Sequence, residues 1–302
     1  MDIKRAVKNK WVIGSVAFAA LVAVRAGLEP KPAPPVVANI PSSERDSIRA
    51  RIRHSAIERP DLVAALARKR ILLVGESHFK QEPQAWLQDL LEELHRVDGR
   101  DTILLLELPQ AGQAHLDKYM AGGDEEDLRA AFGSGALPYQ GTVRWARSHP
   151  QFVNHIIMCD ADQWHTNLMR LLLTDTRNER MARRVAETAR NYPGSRIVIY
   201  GGALHMMKAG RYLYDSDTRR PVGQRLTLMG LPSRDVAAVW LFAGPAPVHG
   251  LWDKPGALDL SGPAGNLPIA DFGSARVFGA AEFKEIVDYA VHLGPATPIR
   301  GF

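Results

Sequence analysis

Short, compact apolar runs alternate along the chain with longer segments in which apolar residues recur every three or four positions. Runs rich in Ile, Leu and Val that are too short for helices are typical of buried parallel strands. Six such runs predict strands, at residues 70–74, 102–108, 152–159, 197–200, 226–229 and 236–242. Helical spacing predicts helices at residues 82–97, 163–191 and 283–293, with shorter ones starting at Ser42 and Pro60. This alternation predicts an α/β domain with a mostly parallel sheet flanked by helices on both faces.

The N-terminus has the order of features found in export signals. Four basic residues precede the uncharged stretch 11–24, which as a helix spans about 21 Å, short of a hydrocarbon core of ~30 Å. Residues 1–28 are therefore predicted to be a secretory signal peptide, with an uncleaved signal anchor as the alternative because Arg25 interrupts the cleavage site. Either segment places the protein in the cell envelope, periplasmic or extracytoplasmic, and the uncleaved form would attach it to the membrane.

A proline-rich linker separates this segment from the body. Residues 29–41 contain five prolines and are expected to be extended, so a single folded domain is predicted over 42–302. The net charge is +5, but residues 1–26 carry +4 of it. The remaining +1 argues against nucleic acid as a partner of the folded domain. The one cysteine, Cys159, excludes an internal disulfide and a multi-cysteine zinc site.

Polar residues with chemical potential cluster where the predicted strands end. They are the turn Gly75-Glu76-Ser77-His78, Glu107, Asp160 with Asp162, and the turn Gly201-Gly202-Ala203-Leu204-His205. The carboxyl ends of parallel strands share one edge, where ligands bind, so two histidines and two carboxylates should face a common cleft. His78, Glu107 and His205 would suit zinc, iron or manganese. Without a metal, the same set could perform acid–base chemistry on water.

Some of these residues also have structural interpretations. Glu107 ends a buried apolar strand, so it needs a partner, and an ion pair with an arginine is the alternative to a functional role. Asp160 and Asp162 are predicted to cap the helix that starts at residue 163. Met206 and Met207 would ordinarily fill the core.

Taken together, the motifs resemble one superfamily. Its members include the ChaN-like haem-binding uptake proteins, the Tiki proteases with their TraB relatives, and the erythromycin esterases. The resemblance covers about residues 68–215, and the stretch 107–122 is most similar to the ChaN branch. It rests on four motifs in order: Gly75-Glu76-Ser77-His78, the strand-ending Glu107, Arg177-x-x-x-Met181-Ala182 and Gly202-Ala203-Leu204-His205.

The resemblance implies a pocket built by Glu76, His78, Glu107, Arg177 and His205. Arg177 is preferred to Arg180 because it stands four residues before Met181. Glycines let the backbone approach a ligand closely, and haem needs an axial donor such as His, Tyr or Met. Residues expected to contact a cofactor are therefore Gly75, Gly202, Tyr200 and Met206, and the other donor candidates are Tyr139, Tyr212, Tyr214 and Met207.

Two functions follow from the resemblance. The first is an exported ChaN-like protein that binds haem or iron in this pocket. The alternative is a metal-dependent or histidine-based hydrolase of an ester, lactone or peptide, with Arg177 stabilising an oxyanion. A degenerate domain acting as an envelope scaffold is disfavoured because all four motifs are present. The expected partner is haem or another small molecule, a homodimer is left open, and residues from 222 onward match no family motif.

Overall fold

The computed structural model describes residues 40–133, 139–162, 177–214, 217–272 and 277–299. The predicted signal or anchor segment, nearly all of the linker, and residues 163–176 of one predicted helix lie outside them. Among the described helices, none combines the length and the apolar character needed to cross a membrane.

The described residues include nine α-helices and eleven strands. The helices, in chain order, are α1 Ser42–Ser55, α2 Arg59–Ala67, α3 Gln81–Asp98, α4 Gln113–Met120, α5 Glu125–Phe132, α6 Gln140–Ser148, α7 Arg177–Asn191, α8 Val222–Leu228 and α9 Phe283–Ile286. The strands are β1 Ala56–Ile57, β2 Ile71–Glu76, β3 Thr102–Pro109, β4 His155–Asp160, β5 Arg196–Gly202, β6 Arg211–Tyr214, β7 Asp217–Arg219, β8 Val236–Phe242, β9 Gly256–Asp259, β10 Val277–Phe278 and β11 Tyr289–His292.

One large sheet carries the fold. Its eight strands run in the order β1-β9-β11-β8-β2-β5-β3-β4. The six strands from β11 to β4 are mutually parallel, and β9 and β1 add an antiparallel edge. Strands β10, β6 and β7 form a second, small antiparallel sheet in the order β10-β6-β7. The carboxyl ends of β2, β5, β3 and β4 are therefore neighbours along a single edge of the large sheet.

Alternate side chains of the central strands pack on opposite faces of the sheet, as the period of two in a strand requires. Ile71 and Leu73 face a core that includes residues of α1, α7 and α8, whereas Leu72 and Val74 face a core that includes residues of α2 to α6. Both faces are thus covered by helices, which explains why the central strands are apolar throughout. The predicted fold class is confirmed.

Two predicted elements are wrong. Residues 226–229 were expected to form a strand, but α8 covers Val222–Leu228. Leu226 is buried there while Leu228 is 65% exposed, as expected when one helix face packs against α7.

The helix expected over residues 283–293 ends at Ile286, and β11 follows it. The backbone N–H of Asp288 donates to the carbonyl of Ala238, and the Asp288 carboxylate accepts from the Ala238 N–H. These bonds attach the segment to β8, so sheet pairing outweighs the local helical spacing.

Candidate functional site

The site forms where four parallel strands end. Glu76 is the last residue of β2, Glu107 lies near the end of β3, and Asp160 is the last residue of β4. The parallel register aligns Glu76 with Gly202 at the end of β5. The first residue of α7, Arg177, completes the group from the face of the sheet covered by that helix.

His78 is oriented by a buried carboxylate. Its Nδ1 lies 2.7 Å from Glu76 Oε1, and the Tyr139 hydroxyl is 3.4 Å from the same nitrogen. The Glu76 side chain is 1% exposed, whereas that of His78 is 38% exposed. This contact directs Nε2, the other ring nitrogen, away from Glu76 and toward Glu107 and Gly202.

The dyad formed by Glu76 and His78 has shifted proton affinities. Burial raises the pKa of Glu76, although the hydrogen bond from His78 opposes that shift. Burial alone would lower the pKa of His78, but the hydrogen bond to Glu76 and the charge of Glu107 outweigh it and raise the pKa above its ordinary value.

Glu107 has an arginine partner, as its structural interpretation required. Its Oε1 lies 2.7 Å from Arg177 Nη2, and its Oε2 accepts from the Gly202 N–H at 2.6 Å. Arg177 also binds Asp160, through Nε at 3.0 Å and through Nη2. Burial would lower the pKa of Arg177, but the hydrogen bond and charge of Asp160 raise it, so the guanidinium remains charged. Arg177 therefore pairs with two buried carboxylates at once.

His205 lies on the other side of Glu107. Its Nε2 is 3.3 Å from Glu107 Oε1, and its Nδ1 contacts Asn178 Oδ1 at 2.5 Å and the Tyr212 hydroxyl at 2.8 Å. The side chain is 7% exposed. Burial and the nearby charge of Arg177 lower the pKa of His205 well below its ordinary value, so the ring is neutral at physiological pH.

The two histidines do meet at one carboxylate, as the strand-end pattern predicted. His78 Nε2 lies 4.0 Å from Glu107 Oε2, and His205 Nε2 approaches the other oxygen of the same group. Within the part of the chain that the structure describes, however, no group of three or more His, Cys, Asp or Glu side chains is arranged to hold a metal ion. The predicted ligand set of His78, Glu107 and His205 is thus brought together without metal-site geometry.

Glycines make room for this arrangement. A Cβ on Gly201 would lie 2.5 Å from Glu107 Oε2, and one on Gly202 would lie 3.0 Å from His78 Nε2. A Cβ on Gly75 would lie 2.7 Å from the Cα of Ala203. The strand ends therefore need residues without side chains for Glu107 and His78 to occupy their positions.

The predicted tyrosine and methionine donors are more deeply buried than His78. Tyr200 and Met206 are 0% and 1% exposed, and Met206 packs against Gly75 and Gly201. Tyr139, Tyr212 and Met207 are also buried, and the side chain of Tyr214 lies outside the described residues. Among the predicted donors with a described side chain, His78 has the greatest exposure.

Sequence reasoning missed Asn178, and it did not predict the contacts that Asp160 and Tyr139 make. Asp160 was expected to cap a helix that begins at residue 163, which lies outside the described residues; in the structure its carboxylate binds Arg177. Its place at a strand end was the available signal. Tyr139 was named only as a candidate haem donor and Asn178 was not named, because their contacts to His78 and His205 arise only from the tertiary fold.

Comparisons with known proteins agree with the motif-based resemblance. Residues 62–154 match a family model described as "Haem-binding uptake, Tiki superfamily, ChaN". This region contains Glu76, His78, Glu107 and Tyr139. A search of curated proteins found no significant match.

Several solved structures are similar to this chain. An erythromycin esterase EreC mutant in its open conformation has a TM-score of 0.55 at 13% identity, covering 80% of this chain and 93% of that one. A succinoglycan biosynthesis protein has a TM-score of 0.55 at 11% identity, covering 86% and 100%. The haem-binding ChaN of Campylobacter jejuni has a TM-score of 0.45 at 12% identity, covering 80% and 92%. At these identities the likeness to the esterase and the succinoglycan protein shows the fold alone.

Proposed function

We propose that this protein binds haem at the carboxyl edge of the large sheet, with His78 Nε2 as the iron ligand. The observation that carries the proposal is the contact between Glu76 and His78. A buried carboxylate that accepts from Nδ1 fixes the ring orientation and leaves Nε2 as the basic nitrogen. Haem supplies an iron and a flat apolar ring, and it needs an imidazole donor of this kind.

The surroundings of His78 fit a flat apolar ligand. Phe79 follows directly, is 46% exposed, and has a ring centroid 6.0 Å from that of His78. Its φ of 68° is uncommon for a bulky residue and points to a constrained turn. The carbonyl of Phe79 accepts from the Ile299 N–H at 3.0 Å, which ties the turn to the C-terminal segment. An exposed aromatic ring beside a histidine whose side chain is partly exposed is suitable for a porphyrin face.

The family match supports haem over other ligands. The description of the matched family names haem-binding uptake, and the matched residues 62–154 include both Glu76 and His78. Because residues 1–28 have the features of an export signal, we also propose that the folded domain is exported and that uptake takes place in the cell envelope. Fractionation of cells, followed by N-terminal sequencing of the mature chain, tests that location. Recovery in the cytoplasm with residue 1 intact would contradict it.

Hemin titration followed by absorbance tests the ligand. The wild-type protein should give a saturable Soret shift, and His78→Ala should abolish the shift or weaken affinity at least about tenfold. His155→Ala is the matched control, because His155 is an exposed histidine at the opposite end of the parallel strands, where β4 begins. The control should bind hemin like the wild type. No saturable shift in the wild type, or equal affinity in all three proteins, would overturn the proposal.

A hydrolase is the second candidate, and the same dyad supports it. With Nδ1 held by Glu76, Nε2 of His78 could take a proton from water. Oxyanion stabilisation is less well supported, since Arg177 is bound to two carboxylates and the Gly202 N–H is bound to Glu107. Haem binding needs one donor nitrogen, whereas hydrolysis needs both a base and a group that stabilises the oxyanion. The geometry therefore favours haem.

Activity assays separate the two functions. Under this second candidate, aryl esters, lactones and short peptides should be turned over by the wild type and not by His78→Ala. Assays with and without a chelator would show whether turnover requires a metal. Absence of turnover together with saturable hemin binding supports the first function, whereas His78-dependent turnover without hemin binding supports the second.

A further inference from the structure

His205 is held from its Nδ1 side by a residue that none of the sequence motifs identified. Asn178 lies on α7 directly after Arg177 and is fully buried. Its side-chain oxygen is 2.5 Å from His205 Nδ1, and the Tyr212 hydroxyl lies 2.8 Å from the same nitrogen. The ring is therefore fixed on the side away from Glu107.

The orientation of the Asn178 amide is determined by its other contacts. Its Nδ2 donates to the backbone carbonyl of Arg220 at 2.7 Å and to the Tyr212 hydroxyl at 2.8 Å. A carbonyl oxygen can only accept, so the nitrogen of the amide must face Arg220. The oxygen of the amide consequently faces His205.

This orientation decides which nitrogen of His205 carries the proton. Two acceptors cannot share a 2.5 Å contact, so Nδ1 must be the donor to Asn178. We propose that Asn178 is a positioning residue that holds His205 as the Nδ1–H tautomer, which leaves Nε2 as a hydrogen-bond acceptor facing Glu107. The inference does not require haem to be the ligand.

The charge state of His205 is consistent with a single proton. Burial and the charge of Arg177 lower the pKa of His205, so the ring is neutral and only one nitrogen is protonated. Nε2 and Glu107 Oε1 then form a pair of acceptors 3.3 Å apart. A ligand group that contacts both acceptors together must donate an N–H or O–H hydrogen or carry a positive charge. This pair of atoms therefore disfavours ligand groups that can only accept hydrogen bonds.

Nitrogen NMR of the 15N-labelled full chain tests the tautomer directly. The chain has 10 histidines, so His205→Gln identifies the His205 signals by their loss. In the wild type, Nε2 of His205 should show the downfield shift of an unprotonated imidazole nitrogen, and Nδ1 should carry the proton. A wild-type spectrum with the proton on Nε2 would overturn the proposal without any variant at Asn178.

Two variants separate positioning from a merely structural role. Asn178→Leu removes the acceptor, so the His205 proton should move to Nε2, where Glu107 can accept it. Asn178→Asp retains an acceptor oxygen, and Nδ1 should keep its proton. If both variants are folded and leave His205 as the Nδ1–H tautomer, Asn178 does not set the tautomer and the proposal is wrong.

Discussion

Removing the guanidinium of Arg177 should lower the free energy of unfolding more than removing the guanidinium of any surface arginine. Arg177 pairs with Glu107 and Asp160, whose side chains are 5% and 8% exposed. In Arg177→Met the apolar part of the side chain is largely retained, so the main loss is the charge. Removing one partner of a buried ion pair costs about 3–5 kcal/mol, because the other charge remains buried and unpaired.

The groups around the two carboxylates place the expected loss in the free energy of unfolding near the middle of that range. Two carboxylates would lose the same cation, which increases the cost. Each keeps one backbone donor, the Gly202 N–H for Glu107 and the Ala161 N–H for Asp160, which reduces it. A loss of about 4 kcal/mol in the free energy of unfolding follows, or a fall in Tm of about 8–16 °C.

Urea denaturation followed by circular dichroism measures this loss, and α7 provides a matched control. Arg183 pairs with Glu179 one turn away, but its side chain is 65% exposed, so Arg183→Met should cost under ~0.5 kcal/mol. The double variant Glu107→Gln with Arg177→Met should be more stable than Arg177→Met alone, since one buried charge is gone. Equal costs for Arg177→Met and Arg183→Met, or no recovery in the double variant, would refute the ion-pair reasoning.

Three further predictions concern His78 and the glycines around it. A protonated imidazole cannot bind iron, and Glu76 raises the pKa of His78. Hemin coordination should therefore be lost on acidification, and Glu76→Gln should move the midpoint of a Soret pH titration to lower pH; an unchanged midpoint would contradict this. Gly202→Ala places a Cβ 3.0 Å from His78 Nε2 and should weaken hemin binding at least about tenfold in the same absorbance assay, whereas unchanged affinity would place the ligand elsewhere. Gly75→Ala places a Cβ 2.7 Å from the backbone of Ala203 and should lower the free energy of unfolding by about 1–3 kcal/mol in urea, and a stability equal to wild type would show that the close approach is relieved.

Much of the fold could be predicted because burial on both faces leaves a clear mark on the sequence. Strands such as 102–108 are continuous apolar runs, and they appear in the structure as central parallel strands. The errors arose where a short apolar segment fits two structures. Residues 283–293 have helical spacing, but one main-chain bond and one side-chain bond from Asp288 to Ala238 attach the segment to the sheet instead. Such pairing depends on a strand that is distant in the sequence, so the residues of the segment itself do not predict it.

The candidate site was predictable only as far as strand ends indicate it. The edge of a parallel sheet brings Glu76, Glu107 and Gly202 together whatever the loops do. The arginine partner of Glu107 could be named from the motif order. The contacts of Tyr139 with His78 and of Asn178 with His205 join residues 61 and 27 positions apart, and they have no counterpart in strand or helix periodicity.

A crystal structure of the protein with bound hemin tests the central proposal most directly. The account predicts the iron bonded to His78 Nε2, with Nδ1 of the same ring still on Glu76 and the porphyrin lying near Phe79. An iron bound to another side chain, or a hemin seated away from the carboxyl edge of the large sheet, would contradict it.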